Sequence, residues 1–237
     1  MVSQKECRET VANFFSGDYS ITEGRVIPEV SDLHFAKEGK EMELAMMFID
    51  IRESTKIVDG FRRTTAAKMY KSFLWGVAKI ARMNDGELRS FNGDGVLLAF
   101  IGDSKRTNAV KAAMQMSWFC KNILKPRLEG YFQNNNQLAD LEFNYGIGID
   151  VGNVLVVRAG IRGDNNNDLV WVGNATNYAV KLSSITDDGY NIFISKDVFD
   201  KLHKSSKYGG EDERLMWESR TWKGMNIYRS NWWWEIN

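Results

Sequence analysis

The sequence predicts a mixed α+β fold: a central, mostly antiparallel sheet with flanking helices. Three observations predict it. Short apolar runs of strand length alternate with two longer segments whose apolar residues recur every three or four positions. Two strand-like runs flank a glycine-rich tetrad, the pattern of a hairpin. The 237 residues, 43% apolar and 26% charged, match an ordinary globular protein large enough for one big domain or two small ones.

The elements follow in order. Residues 1–40 are mixed: Val11 to Phe15 can start a short helix, Gly17 and Gly24 interrupt it, and Pro28 suggests an extended arm. This segment is an arm, and residues 41–237 form the main domain. Leu44 to Ile49 is a continuous apolar run, expected as a strand covered on both faces and ending at Asp50. A polar stretch, Arg52 to Thr55, leads into a helix whose stripe is Ala66, Met69, Tyr70, Phe73, Val77, Ile80 and Ala81. Asn84-Asp85-Gly86 stops it, with the glycine suited to a left-handed cap. Glu87–Phe91 and Val96–Ile101 form the hairpin around Asn92-Gly93-Asp94-Gly95. Asn108–Leu124 is a second helix that Pro126 ends or kinks. Asn134-Asn135-Asn136 is a loop. Strands are expected at Leu141–Ile149, Val154–Ala159, Leu169–Val172 and Asn191–Ser195, a helix at Asn174–Ser184, and strand in the Trp-rich tail Leu215–Trp234. From Leu44 the order is strand, helix, strand, strand, helix, strand, which is the ferredoxin-like arrangement.

Equal numbers of basic and acidic side chains, 31 of each, leave no charge excess for generic nucleic-acid binding. Two cysteines, Cys7 and Cys120, cannot staple a secreted scaffold, which points to a reducing cytoplasm. No run approaches a membrane span, so no membrane insertion is expected.

The predicted topology brings Asp50, at a strand's carboxyl end, next to Asp94 at the hairpin tip. Converging carboxylates repel unless a cation or a proton lies between them. Hard oxygen donors of this kind suit Mg²⁺ or Mn²⁺, and the Ile51 carbonyl can add a ligand. The amides from Arg52 to Thr55 open a helix, a cradle for phosphate oxygens to which Ser54 and Thr55 add hydroxyls. Either aspartate alone is a common turn-maker; the pair is the signal.

These residues carry a resemblance. Phe48-Ile49-Asp50-Ile51-Arg52-Glu53-Ser54-Thr55 and Gly86 through Phe91-Asn92-Gly93-Asp94-Gly95 to Phe100 resemble the class III nucleotidyl cyclases. So do Gly146-Ile147-Gly148-Ile149-Asp150-Val151-Gly152, the segment Gly173 to Leu182, and Trp222-Lys223-Gly224. The resemblance spans about residues 44–228 in family order. It implies a ferredoxin-like cyclase catalytic fold in a head-to-tail homodimer with composite active sites. It further implies two divalent metal ions on Asp50, Ile51 and Asp94. Asn177 from the partner would orient the ribose, and Lys223 from the partner would hold the terminal phosphates. The 3′-hydroxyl then attacks the α-phosphorus and pyrophosphate leaves.

The departures concern the base. Where the family's purine readers stand, this chain has Ser90 and Val170. A site lacking both polar readers leaves purine edges unpaired, at about 1–3 kcal/mol each. The same departure marks the pyrimidine cyclases of the Pycsar antiphage systems, which implies UTP, or CTP, as substrate in a cytosolic homodimer. Ser90 or the adjacent Arg89 can read the base, and Phe48 or Trp171 can stack on it. Lys181 stands where the family has its transition-state arginine; Arg158 or Arg162 is a possible substitute guanidinium. Two alternatives stay open: an adenylyl or guanylyl cyclase with an atypical base pocket, and an inactive cyclase-like module.

Overall fold

The computed structural model describes residues 2–134, 142–161, 163, 166–187 and 189–236. Its Cα atoms separate into two compact units. Residues 1–42 and 154–172 form one; residues 43–153 and 173–237 form the other.

The smaller unit holds α1 (Gln4–Phe15), β1 (Ser20–Glu23), the first residues of β2 (Glu38–Ile51), the end of β5 (Tyr145–Gly160) and β6 (Asn167–Val172). The helix expected from Val11 starts seven residues earlier because Ser3 and Glu6 form a reciprocal capping box. None of its residues is buried. β1 pairs parallel to the start of β2, and β6 pairs antiparallel to the end of β5.

The larger unit carries the rest of β2 and β5 with α2 (Ser54–Gly60), α3 (Arg63–Met83), β3 (Gly86–Asn92), β4 (Gly95–Phe100), α4 (Lys105–Phe119) and α5 (Lys125–Phe132). It continues with α6 (Asn174–Ser183), β7 (Ile192–Ser195), α7 (Lys196–Asp200), α8 (Lys204–Lys207), the small hairpin β8 (Tyr208–Gly209) and β9 (Arg214–Leu215), then β10 (Glu218–Trp222) and β11 (Met225–Ser230). The sheet order is β10-β11-β7-β5-β2-β4-β3. Alternation sorts the faces. Met47, Ile49, Ile51, Val96, Leu98, Ile147 and Ile149 enter a core with Phe73, Val77 and Ile80 of α3 and Val110, Met114 and Met116 of α4. Asp50, Phe48, Leu97 and Gly148 therefore face the other way. α6 covers that second face, close enough that a methyl on Gly148 would strike the Ala179 carbonyl.

Several sequence expectations change. The helix after Asp50 is two helices, broken at Phe61-Arg62. The left-handed residue ending α3 is Asp85 (φ 57°), not Gly86, which opens β3. Between α4 and α5 lies a π turn, Cys120–Leu124, just before Pro126. A widened turn there accommodates the amide that proline lacks. The strands expected at 141–149 and 154–159 are one sixteen-residue strand, because Gly152-Asn153 stays extended. Trp232 to Trp234 are not strand; Trp232 and Trp234 pack on the core, while Trp233 is exposed. Cys7 is exposed and Cys120 buried, both free thiols. Asn135, Asn136, Leu141 and Arg162 lie outside the described residues.

Candidate active site

The register between β2 and β4 sets Ile49 opposite Val96, so Asp50 comes alongside the β3–β4 turn. That turn has two central residues, Gly93 and Asp94, between paired Asn92 and Gly95. Gly93 takes φ 66°, as hairpin turns of this length require. Gly95 is bare for a reason. A Cβ there would sit 2.5 Å from Phe48 Cζ and 3.0 Å from Asp50 Oδ1. The ring of Phe48, itself buried, thus floors the site beside the two carboxylates.

Ser54, the first residue of α2, donates its hydroxyl to Asp94 Oδ1 at 3.1 Å. Glu53 before it takes the left-handed conformation (φ 57°), which turns the chain sharply from β2 into the helix. Asp50 Oδ1 and Asp94 Oδ2 are buried without a hydrogen-bond partner. Burial, then the charge of the neighbouring Asp94, push Asp50 up to about 7. Two neighbouring carboxylates, each with a dry and unpartnered oxygen, fit a divalent cation, which would offset their repulsion. Among the described residues no group of three or more His, Cys, Asp or Glu side chains could hold a metal. A two-carboxylate set suits an ion completed by water and substrate phosphates.

Tyr70 belongs to this site, although its spacing marks it only as part of the α3 stripe. Its hydroxyl reaches the Ser54 carbonyl at 3.4 Å. Burial and then the Asp94 charge raise its pKa. A tyrosine on an amphipathic stripe gives no sequence sign of such a partner.

The base-side candidates sit two strands away on the same sheet face. A β-bulge shifts the β3–β4 register between Leu88 and Ser90. Ser90 then pairs with Leu97, and the extra residue Arg89 joins it on the face of Phe48 and Asp50. Arg89 pairs with Glu87 at 3.0 Å. Thr55 is exposed in the first turn of α2.

The remaining candidates lie elsewhere. β5 starts where β2 ends, with Arg52 N–H donating to the Asn144 carbonyl. β7 runs parallel to β5 and β11 antiparallel to β7. The β10–β11 turn, Lys223-Gly224, therefore lies at the opposite end of the sheet from the Asp94 turn, and near the opposite edge. At strand spacings the separation is about 25 Å along the strands and about 24 Å across them. α6 runs back along β5, its first turn (Ala175) near Gly152 and its last (Ser183) near Gly146, so its N-terminal half is also remote from Asp50. Asn177 and Lys181 are exposed on its outer surface. Lys181 Nζ rests 5.3 Å from the Tyr178 ring centroid and Lys223 Nζ 4.8 Å from that of Trp222. One copy thus does not bring Asn177 and Lys223 to Asp50 and Asp94, while Lys181, in the last turns of α6, is exposed on the helix's outer surface.

Val170 (45% exposed) and the buried Trp171 lie on β6 in the smaller unit. Arg158, in the same unit, is engaged by Asn167 Oδ1 at 2.7 Å and the Leu33 carbonyl at 3.2 Å. A guanidinium so occupied is a structural one. Both histidines are local: His34 pairs with Glu38, and His203 caps α8.

No family model matches the chain. Among curated proteins it is similar to a uridylate cyclase of Xanthomonas perforans, 34% identical over 227 residues and 94% of each chain. It is also similar to a uridylate cyclase of Burkholderia cepacia, 31% identical over the full length of both. Among solved structures it resembles the guanylyl cyclase Cya2, with a TM-score of 0.66 and 19% identity over 83% of this chain and 95% of that one. The adenylyl cyclase CyaB from P. aeruginosa gives a TM-score of 0.65 at 21% identity, over 81% and 95%. The fold is that of the class III nucleotidyl cyclases, and the chain belongs to the uridylate cyclase family of nucleotidyl cyclases.

Proposed function

We propose that this enzyme converts UTP into 3′,5′-cyclic UMP and pyrophosphate, in a head-to-tail homodimer with two composite sites. CTP is the other pyrimidine candidate. The observation that carries the reading is the Asp50–Asp94 pair, whose buried Oδ1 and Oδ2 lack partners in the protein. Two divalent cations, Mn²⁺ or Mg²⁺, held by Asp50, Asp94 and the Ile51 carbonyl would lower the pKa of the attacking 3′-hydroxyl and neutralise the leaving phosphates.

The chain's own residues do the rest. Ser54 fixes the rotamer of Asp94, and the exposed Thr55 presents a hydroxyl to phosphate. Ser90 and Arg89 read the carbonyl edge of the pyrimidine; a guanidinium donates readily to such acceptors. Asn177 of the partner subunit orients the ribose. Lys223 of the partner subunit holds the terminal phosphates, and Lys181 of the partner subunit stabilises charge as pyrophosphate departs. The separation of the two sheet ends supports this division of labour between two copies. The names of the relatives support UTP, and the resemblance to antiphage cyclases supports a signalling role in bacterial defence in the cytoplasm.

Incubating the purified chain with each of the four NTPs and Mn²⁺ tests the proposal. Cyclic UMP should dominate. Cyclic AMP or cyclic GMP as the main product overturns the pyrimidine reading, and no product from any NTP favours an inactive module.

A further inference from the structure

We propose that the exposed face of α3, with the cavity beside it, is a docking surface for an anionic lipid bilayer. α3 carries Arg63, Lys68, Lys71, Lys79 and Arg82 and no acidic residue, in a chain whose charges balance overall. Its inner face, Ala66, Met69, Phe73, Val77 and Ile80, is committed to the core. At 100° per residue, Lys68, Lys71, Trp75, Lys79 and Arg82 fall within about 80° of arc and about 21 Å of length. All five are exposed, and Trp75 is 63% exposed. Among the described residues, none of these cations has a salt-bridge partner. An ordinary solvated helix face interleaves both signs and lacks a large aromatic residue.

The groove between α3 and α5 extends the surface. A cavity of about 280 Å³ there is lined by Thr65, Lys68, Ser72, Arg127 and Tyr131 over an apolar floor of Met69 and Leu128. Arg127 lies over the Tyr131 ring at 5.7 Å. Two cations with the Thr65 and Tyr131 hydroxyls lining one small hollow suit a single phosphate headgroup; the Ser72 hydroxyl is taken by the Lys68 carbonyl. A nucleic-acid backbone instead demands a continuous track of phosphate contacts. Trp75 at the centre of the cationic stripe, with exposed Met83 at its end, matches the boundary of a bilayer, where indole rings lodge beside charged headgroups. The contact is peripheral: among the described residues no helix is long and apolar enough to cross a membrane.

Co-sedimentation of the whole chain with vesicles decides the matter. Phosphatidylcholine vesicles containing phosphatidylglycerol should bind it, and pure phosphatidylcholine vesicles should not. Binding should fall as salt rises from about 0.1 M to about 0.5 M. A Lys71→Gln/Lys79→Gln variant should partition about twenty-five-fold less, since each cation near an anionic surface contributes about fivefold. Trp75→Ala and Arg127→Gln should each weaken binding with cyclase activity in solution unchanged, which shows the fold intact. Equal binding to both vesicle types, or unaltered binding by the double variant, overturns the proposal. So does tighter binding of a DNA duplex than of anionic vesicles. Competition by free glycerol phosphate, with no vesicle binding, would replace the bilayer by a soluble phosphate ligand and likewise overturn it.

Discussion

Ser54 Oγ donates to Asp94 Oδ1 at 3.1 Å, across forty positions of sequence. That bond fixes which oxygen of Asp94 remains for other use. Oδ1 is taken, and Oδ2 is buried and unpartnered beside Asp50. The first residue of α2 thereby sets the geometry of a carboxylate in the β3–β4 turn.

Asp94→Ala should abolish turnover, by about a thousandfold or more if both metal roles are lost, while size-exclusion elution stays that of the native protein. Ser54→Ala should retain part of the activity, because it frees a rotamer without removing a ligand. Product formation followed by chromatography checks both. Normal turnover by Asp94→Ala refutes the metal assignment.

Without metal, stability should fall as pH rises. Asp50 titrates near 3.8 when exposed and at about 7 in the folded chain. Between those values the folded chain binds more protons at this pair than the unfolded chain. The contribution is therefore fully present below 3.8 and lost as pH passes about 7. The melting temperature with chelator present should drop between about pH 4 and about pH 7 and level off above it. Asp50→Asn should flatten that dependence, and Mn²⁺ should raise the melting point most at the alkaline end.

Two inactive variants should rescue one another. Asp94→Asn leaves Lys223 intact, and Lys223→Ala leaves the carboxylates intact. Random mixing makes half of the dimers heterodimers, each with one complete site of two. Activity should return to about a quarter of wild type. No recovery after co-refolding would exclude a site shared between copies.

Gly148→Ala should be poorly tolerated. Its methyl would meet the Ala179 carbonyl and lie 2.8 Å from Leu182 Cβ, and a backbone carbonyl cannot step aside. A loss of about 1–3 kcal/mol is expected for overpacking of this kind. Because α6 carries Asn177, activity should fall before the fold is lost. Thermal melts beside rate measurements separate the two effects.

Arg89→Ala should raise KM for UTP about tenfold or more, through loss of a charged donor worth about 1.5–3 kcal/mol, with little change for the metal. Unchanged KM would leave Ser90 as the base reader.

Much of this site was legible in the sequence because it rests on local rules. An apolar run ending in Asp50 and a Gly-Asp-Gly turn bounded by strand patterns suffice to place Asp50 beside Asp94. What escaped depends on non-local geometry. Gly152-Asn153 has turn chemistry, yet pairing with neighbouring strands holds it extended, so two expected strands are one. The bulge at Arg89 leaves no compositional mark, since it is set by how β3 must fit against Leu97 and Leu98. The partner of Tyr70 is invisible for a related reason: α3 packs across the sheet, and no spacing rule names the carbonyl its hydroxyl meets.

The placement of Lys223 and Asp94 on turns at opposite ends of one sheet has a kinetic corollary. In the proposed shared site, a solitary molecule holds Asp94 and Lys223 too far apart to cooperate. Output at low abundance should then scale with the square of the amount present, so that mere dilution silences turnover and a modest burst of synthesis restores it.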